Sequence, residues 1–174
     1  YAVKMRRINE EHMLNRLLQA GRVGPETMQR IGGHLASAYA AIPSDEKSRT
    51  FGALDVIATN VKENFEQTRH YIGGPVTKEA FASIERWSLS FMKKNRALFE
   101  QRVAQGRIKD CHGDLHLQHI CVEGEHIYIF DCIEFNERFR FGDVASDVAF
   151  LAMDLDFNDY PDLGSIFVEA YAAA

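Results

Sequence analysis

The chain has 174 residues, 46% of them hydrophobic and 26% charged, with 12 Gly and 4 Pro. That is the length and apolar mass of one domain with its own core, and it excludes a disordered tail, a collagen-like repeat and a small disulfide scaffold. Twenty Lys and Arg stand against 25 Asp and Glu, a net charge of −5 with the basic residues scattered, which argues against nucleic acid as a partner. Tyr1-Ala2-Val3-Lys4-Met5 alternates in the manner of a short strand. Asn9-Glu10-Glu11 offers an N-cap with an acidic first turn, ahead of Met13, Leu14, Leu17 and Leu18 at helical spacing and a stop at Gly21. A second helix is predicted from Gly24-Pro25-Glu26 to about Ile42, a third from about Phe51 to Ile72, and a long one from about Lys78 to Val103. In the last, Phe81, Ile84, Trp87, Phe91, Leu98 and Phe99 fall near one stripe of a 3.6-residue period and are expected to pack in the core.

After Gly106 the texture changes. Arg107 to Cys111, Ile120 to Val122 and Ile127 to Cys132 read as short strands, the last two joined through Glu123-Gly124-Glu125 as a hairpin. Helical spacing returns from Asp143 through Val144, Val148, Leu151 and Leu155. The order is that of an α+β domain dominated by helix. No run approaches the roughly 20 apolar residues of a membrane span, and no basic-then-apolar leader opens the chain. Cys111, Cys121 and Cys132 are odd in number and lack a C-x-x-C spacing, as expected of reduced, mostly buried thiols in a cytoplasmic protein. The start at Tyr1 and the helical pattern running into Ala174 suggest a piece of a longer protein.

The chemistry concentrates in Cys111-His112-Gly113-Asp114-Leu115-His116-Leu117-Gln118-His119-Ile120, where three His and one Asp lie on a loop between apolar runs. Asp131 follows at the end of the apolar run Ile127-Tyr128-Ile129-Phe130. A carboxylate delivered by that strand is well placed to meet a loop bordering the same hairpin. The residues alone leave open whether Asp114 and Asp131 react or cap turns.

His112-Gly113-Asp114, position 119 and Asp131 together resemble the catalytic loop and metal-binding Asp of the aminoglycoside phosphotransferase and choline kinase-like superfamily. Those relatives of the protein kinases carry H-G-D-x-x-x-x-N and then a strand ending in Asp. Ala2-Val3-Lys4-Met5 is similar to their V-A-I-K strand. The segment from Ile133 to Ala145, and Asn64-Phe65-Glu66-Gln67-Thr68-Arg69, resemble a bacterial branch whose members often carry a fused C-terminal P-loop nucleotide-binding domain. The resemblance implies a protein-kinase-like fold over residues 1–174, mostly the helical C-terminal lobe (43–174) behind a remnant of the N-terminal lobe and hinge (1–42). The Gly-rich strand-turn-strand that should precede Lys4 is absent.

It further implies transfer of the γ-phosphoryl group of ATP to a hydroxyl of a small molecule, with Mg²⁺ or Mn²⁺ as the ion. Asp114 would be the catalytic base, Asp131 and His119 metal ligands, and Lys4 the contact to the α- and β-phosphates, paired with Glu10 or Glu11. His119 stands where the family has Asn, and imidazole suits softer ions than Mg²⁺. The resemblance makes His112 a buttress of the loop and has Asp143 brace it. Two other readings compete: a non-catalytic nucleotide-binding domain regulating a fused P-loop partner, and a metal-dependent hydrolase using His112, His116 and His119 with one of the carboxylates. Glu134, Asn136 and Arg138 could face the acceptor, which the helices from Phe51 to Val103 would help enclose.

Overall fold

A computed structural model describes residues 2, 4 and 7–174. The strand predicted at Tyr1–Met5 lies largely outside the described residues. A 3₁₀ turn at Glu10–His12, capped by the Asn9 side chain as its sequence predicts, leads into α1 (Leu14–Gln19), and Gly21 follows with φ +64°. Then come α2 (Pro25–Ala41), α3 (Glu46–Thr50), α4 (Leu54–Thr68), α5 (Lys78–Lys94) and α6 (Arg96–Ala104). The remainder is β1 (Ile108–Asp110), β2 (Ile120–Glu123), β3 (His126–Ile129), α7 (Glu137–Arg140), β4 (Phe141–Asp143), α8 (Val144–Phe157) and α9 (Pro161–Ala173).

The core forms where α2, α8 and α9 pack together and α1 closes one side. Leu14, Met28, Ile31, Leu151, Leu155 and Phe167 meet there, all fully buried. Gly32 lets α2 and α9 approach closely: a Cβ at that position would come within 2.8 Å of the Phe167 carbonyl oxygen. The floor of the core is the loop after β1, through Cys111, Leu115, Leu117 and Ile120. Each of these apolar side chains buries roughly 1.5–3 kcal/mol of transfer free energy, so the loop is fixed by the same packing that fixes the helices.

Two antiparallel pairs flank that loop. β2 and β3 form the predicted hairpin, Ile120 opposite Ile129 and Glu123 opposite His126, with Gly124 at φ +59° in the tight turn, but β3 stops at Ile129, short of the predicted end at Cys132. β1 pairs with β4, Ile108 opposite Asp143. The second pair was not legible in the sequence, because β4 is only Phe-Gly-Asp between two helices.

Two expectations are corrected. The long helix predicted over Lys78 to Val103 is two helices that meet at Asn95. That residue has φ −109°, and its side chain donates back to the Phe91 carbonyl, closing α5. The apolar stripe is not core either. Phe81 is buried, but Trp87 is 66% exposed, Ile84 56% and Leu98 44%, with Trp87 stacked on Phe91 at 5.1 Å. Periodicity registers that a helix has an apolar face; it does not say that the chain supplies a neighbour to cover it. Here α5 leans mainly on α4, through the Phe65–Phe81 edge-to-face pair.

Candidate active site

The loop from Asp114 to Ile120 alternates between buried and open positions. Leu115, Leu117 and Ile120 point into the core; Asp114, His116 and His119 do not. Apolar anchors thus aim the three polar side chains to one side. The loop enters through Gly113, at φ +81°, where a Cβ would lie 2.5 Å from the Phe139 carbonyl oxygen, so only glycine fits.

The segment after β3 that carries Asp131 is laced to this loop on both sides. Phe130 N–H donates to the His119 carbonyl at 3.1 Å and Ile133 N–H to the His112 carbonyl at 2.9 Å. Asp131 sits between these bonds with φ +63°, one of two left-handed non-glycine residues among those described. Such strained conformations persist where surrounding structure over-determines them, and they cluster at functional sites.

His112 buttresses the loop. Its ring is buried, Nε2–H donates to the Phe130 carbonyl at 2.7 Å, and Nδ1 accepts from Asp114 N–H at 3.3 Å. Both nitrogens are committed, so His112 cannot join a three-histidine ligand set, and the metal-hydrolase arrangement is not formed. His119 is the hinge of the site. Its Nδ1–H donates to the Asp114 carbonyl at 2.9 Å, which leaves a lone pair on Nε2, 3.4 Å from Asp131 Oδ2. With the ring neutral, two acceptors face one another, an arrangement that a shared proton or metal ion would satisfy. A carboxylate oxygen suits a hard divalent ion, and the imidazole nitrogen beside it suits Mn²⁺ better than Mg²⁺.

Neither carboxylate caps a turn. Those of Asp114 and Asp131 accept no hydrogen bond among the described residues, and they are 42% and 77% exposed. The turn-capping alternative for the pair falls with that observation. Nor do they line a cavity of about 870 Å³ that is walled by α2, the hairpin and residues on either side of the site, including His112, Phe130, Cys132 and Glu134. Its walls are mostly apolar. Cys111, Cys121 and Cys132 all border it, as free thiols, and burial followed by the nearby Asp147 carboxylate pushes the Cys111 thiol far above its ordinary range.

Lys4 is exposed and belongs to no regular element. Glu10 pairs with Arg7 instead. Beyond Asp131, Asn136 caps α7 and Arg138 forms a two-pronged ion pair with Glu63 of α4, tying the helical region to the segment after Asp131.

The brace of the loop is Asp147, not Asp143. Asp147 is 2% exposed and accepts from His112 N–H at 2.7 Å, Gly113 N–H at 2.9 Å and the Tyr39 hydroxyl. Asp143 caps α8 and pairs with Arg102. The two lie four residues apart at the helix start, Asp143 as the cap that accepts from Ala145 N–H and Asp147 one turn on, turned to the loop amides. Sequence reasoning also missed Asp154, whose carboxylate takes Leu117 N–H at 2.8 Å, and Tyr39, 108 positions from its partner. An Asp two turns further along an apolar helix was the only available signal for Asp154, and there was none for Tyr39.

The chain is 32% identical over 171 residues to an uncharacterized protein of Mycobacterium tuberculosis, Rv2004c, and equally to Mb2027c of Mycobacterium bovis. The matched part covers 98% of this chain but 34% of each relative, so the chain spans about a third of their length. No solved structure matches it. The family model of the phosphotransferase enzymes matches residues 6–174, a span that takes in the glycine-entered loop, the hairpin and the segment after it with its carboxylate. By that match, the chain belongs to the phosphotransferase enzyme family.

Proposed function

We propose that the site transfers the γ-phosphoryl group of ATP to a hydroxyl of a small molecule, with Asp114 as base and Asp131, assisted by His119, as the holder of the divalent ion. One observation carries the reading. Two carboxylates with no structural task are mounted on separate segments, and a single imidazole, bonded to the Asp114 backbone and facing Asp131, joins them. Phosphoryl transfer needs positioning and charge compensation more than covalent chemistry, and an open pair of carboxylates on a rigid loop suits that need.

In this reading the ionised Asp114 accepts a hydrogen bond from the acceptor hydroxyl and turns its oxygen toward the phosphorus. The bond from phosphorus to the bridging oxygen breaks as the new one forms, and the hydroxyl proton passes late to Asp114. The ion, when bound, neutralises charge on the phosphate oxygens. Asp131 supplies its oxygen ligand, and His119, fixed as the Nδ1–H tautomer, keeps Nε2 free toward the same point. Lys4 would contact the α- and β-phosphates as a point charge. The fused P-loop domain that the resemblance implies would occupy part of the length by which the relatives exceed this chain.

The test is thermal. A ligand present at a hundred times its Kd stabilises by about 2.7 kcal/mol, which raises the Tm of a domain of this size by about 5–10 °C. Mg·ATP or Mn·ATP should produce such a shift in the intact protein, and Asp131→Ala should lose its metal-dependent part. A shift of the same size in that variant would contradict Asp131 as a ligand.

A further inference from the structure

Asp114, His116 and His119 each offer one donor atom, and the three atoms lie within 4.8 Å of one another on the open side of the loop. We infer that they form a second cation site, selective for zinc-like transition ions, whose occupation takes the Asp114 carboxylate away from its acceptor. The metal site stands on geometry alone; its inhibitory consequence rests on the reading of Asp114 as the base.

The spacing is that of ligands around a small ion. Donors bound at about 2.0–2.2 Å with tetrahedral angles stand roughly 3.3–3.6 Å apart. His116 Nε2 lies 3.6 Å from Asp114 Oδ2, too far for a good hydrogen bond and close to a ligand–ligand edge. The third donor closes with a movement of at most about 1.5 Å on that scale. The His116 and His119 rings already lie face to face, centroids 3.8 Å apart and tilted by 36°, so both imidazoles border one space.

Two nitrogens and one oxygen make a borderline-soft set, which prefers Zn²⁺ or Co²⁺ to Mg²⁺. Three protein ligands also leave a position open for water, as in sites that exchange their ion. His116 does not arrive ready. Its Nδ1 accepts from Gln118 N–H at 3.3 Å, which places the proton on Nε2, toward Asp114. An ion must displace that proton and forfeit the Gln118 bond, so binding is weaker than at a preformed structural site. That suits a site that fills and empties. His119 belongs to both cation positions: a transition ion on the trio draws its Nε2 away from Asp131 and disturbs both carboxylates together.

Cobalt is the probe, because Co²⁺ in a tetrahedral nitrogen and oxygen field absorbs strongly in the visible, whereas Co²⁺ in water does not. The intact protein, titrated with CoCl₂ without nucleotide, should develop such a band, saturate at one equivalent and lose it to added ZnCl₂. His116→Asn keeps an oxygen able to accept from Gln118 N–H. It should weaken Co²⁺ by more than the roughly 10–100-fold that loss of an outer partner costs, while Asp131→Asn should retain the band. No band, or a band that survives His116→Asn or is lost in Asp131→Asn, overturns the site. Zn²⁺ should then lower ATP turnover in the wild type at the concentration that displaces cobalt. If the band forms and zinc leaves turnover unchanged, the metal site stands and Asp114 as base is overturned.

Discussion

Asp114→Asn is expected to lower ATP turnover, followed as phosphate release with water as the acceptor, by about 10²–10⁴-fold, the range a positioned general base contributes. Stabilisation by Mg·ATP should persist. The substitution keeps the shape of the side chain but removes its charge and its capacity to take a proton. It disturbs no structure, because the Asp114 carboxylate accepts no hydrogen bond among the described residues and its nearest polar neighbour is His116 Nε2 at 3.6 Å. The backbone contacts of the loop, from Asp114 N–H to His112 and from His119 to the Asp114 carbonyl, use main-chain atoms that Asn retains. Turnover at the wild-type rate, with the Tm unchanged, would remove the base from the mechanism.

The second large effect is on stability. Asp147→Ala should destabilise the protein by about 3 kcal/mol or more, since hydrogen bonds to a charged group contribute roughly 1.5–3 kcal/mol each and buried donors left unpaired carry a further cost. Three donors lose the carboxylate at once: the Gly113 amide, the Tyr39 hydroxyl and the His112 amide, which keeps only a long 3.4 Å bond to the Tyr39 oxygen. The resulting fall in Tm, about 6–12 °C for a domain of this size, is measurable by calorimetry. A fall of under 2 °C, about 1 kcal/mol or less on the same scale, would contradict the brace.

Tyr39 adds a pH signature to this network. Burial first, and then the Asp147 charge, push its hydroxyl well above the ordinary value of 10.0. A group whose folded value is raised contributes stability that is fully present below its unfolded value and is lost as pH climbs beyond it. Between the wild type and Tyr39→Phe, the stability difference should therefore hold at neutral pH and shrink above pH 10.

What the sequence made legible follows from the range of the interactions involved. The hairpin, the cap at Asn9, and α2 with its Gly24-Pro25 start are written in neighbouring residues, and each is found where local pattern puts it. The loop and the carboxylate after the hairpin were legible as well, because His112-Gly113-Asp114 and Asp131 sit at a recognisable spacing. What stayed hidden is what depends on a distant partner. The choice of Asp147 over Asp143 turns on which carboxylate the loop amides reach, and nothing at those two positions records it. The apolar stripe on α5 has the period of a buried face, yet Trp87 and Ile84 face solvent because no other element of the described chain packs over them. The tautomer of His119, which aims its free nitrogen at Asp131, is set by a carbonyl five residues back and emerges only once the loop is folded.

A single reaction centre requires that the Asp114 and Asp131 side chains serve one event. A double-mutant cycle on ATP turnover by the intact protein, with wild type, Asp114→Asn, Asp131→Asn and the double variant, measures that directly. Residues that act as a unit are strongly non-additive, so the double variant should be no more than a few-fold slower than the slower single variant. Deficits that multiply in the double variant, or either single variant turning over like the wild type, would contradict a shared reaction centre.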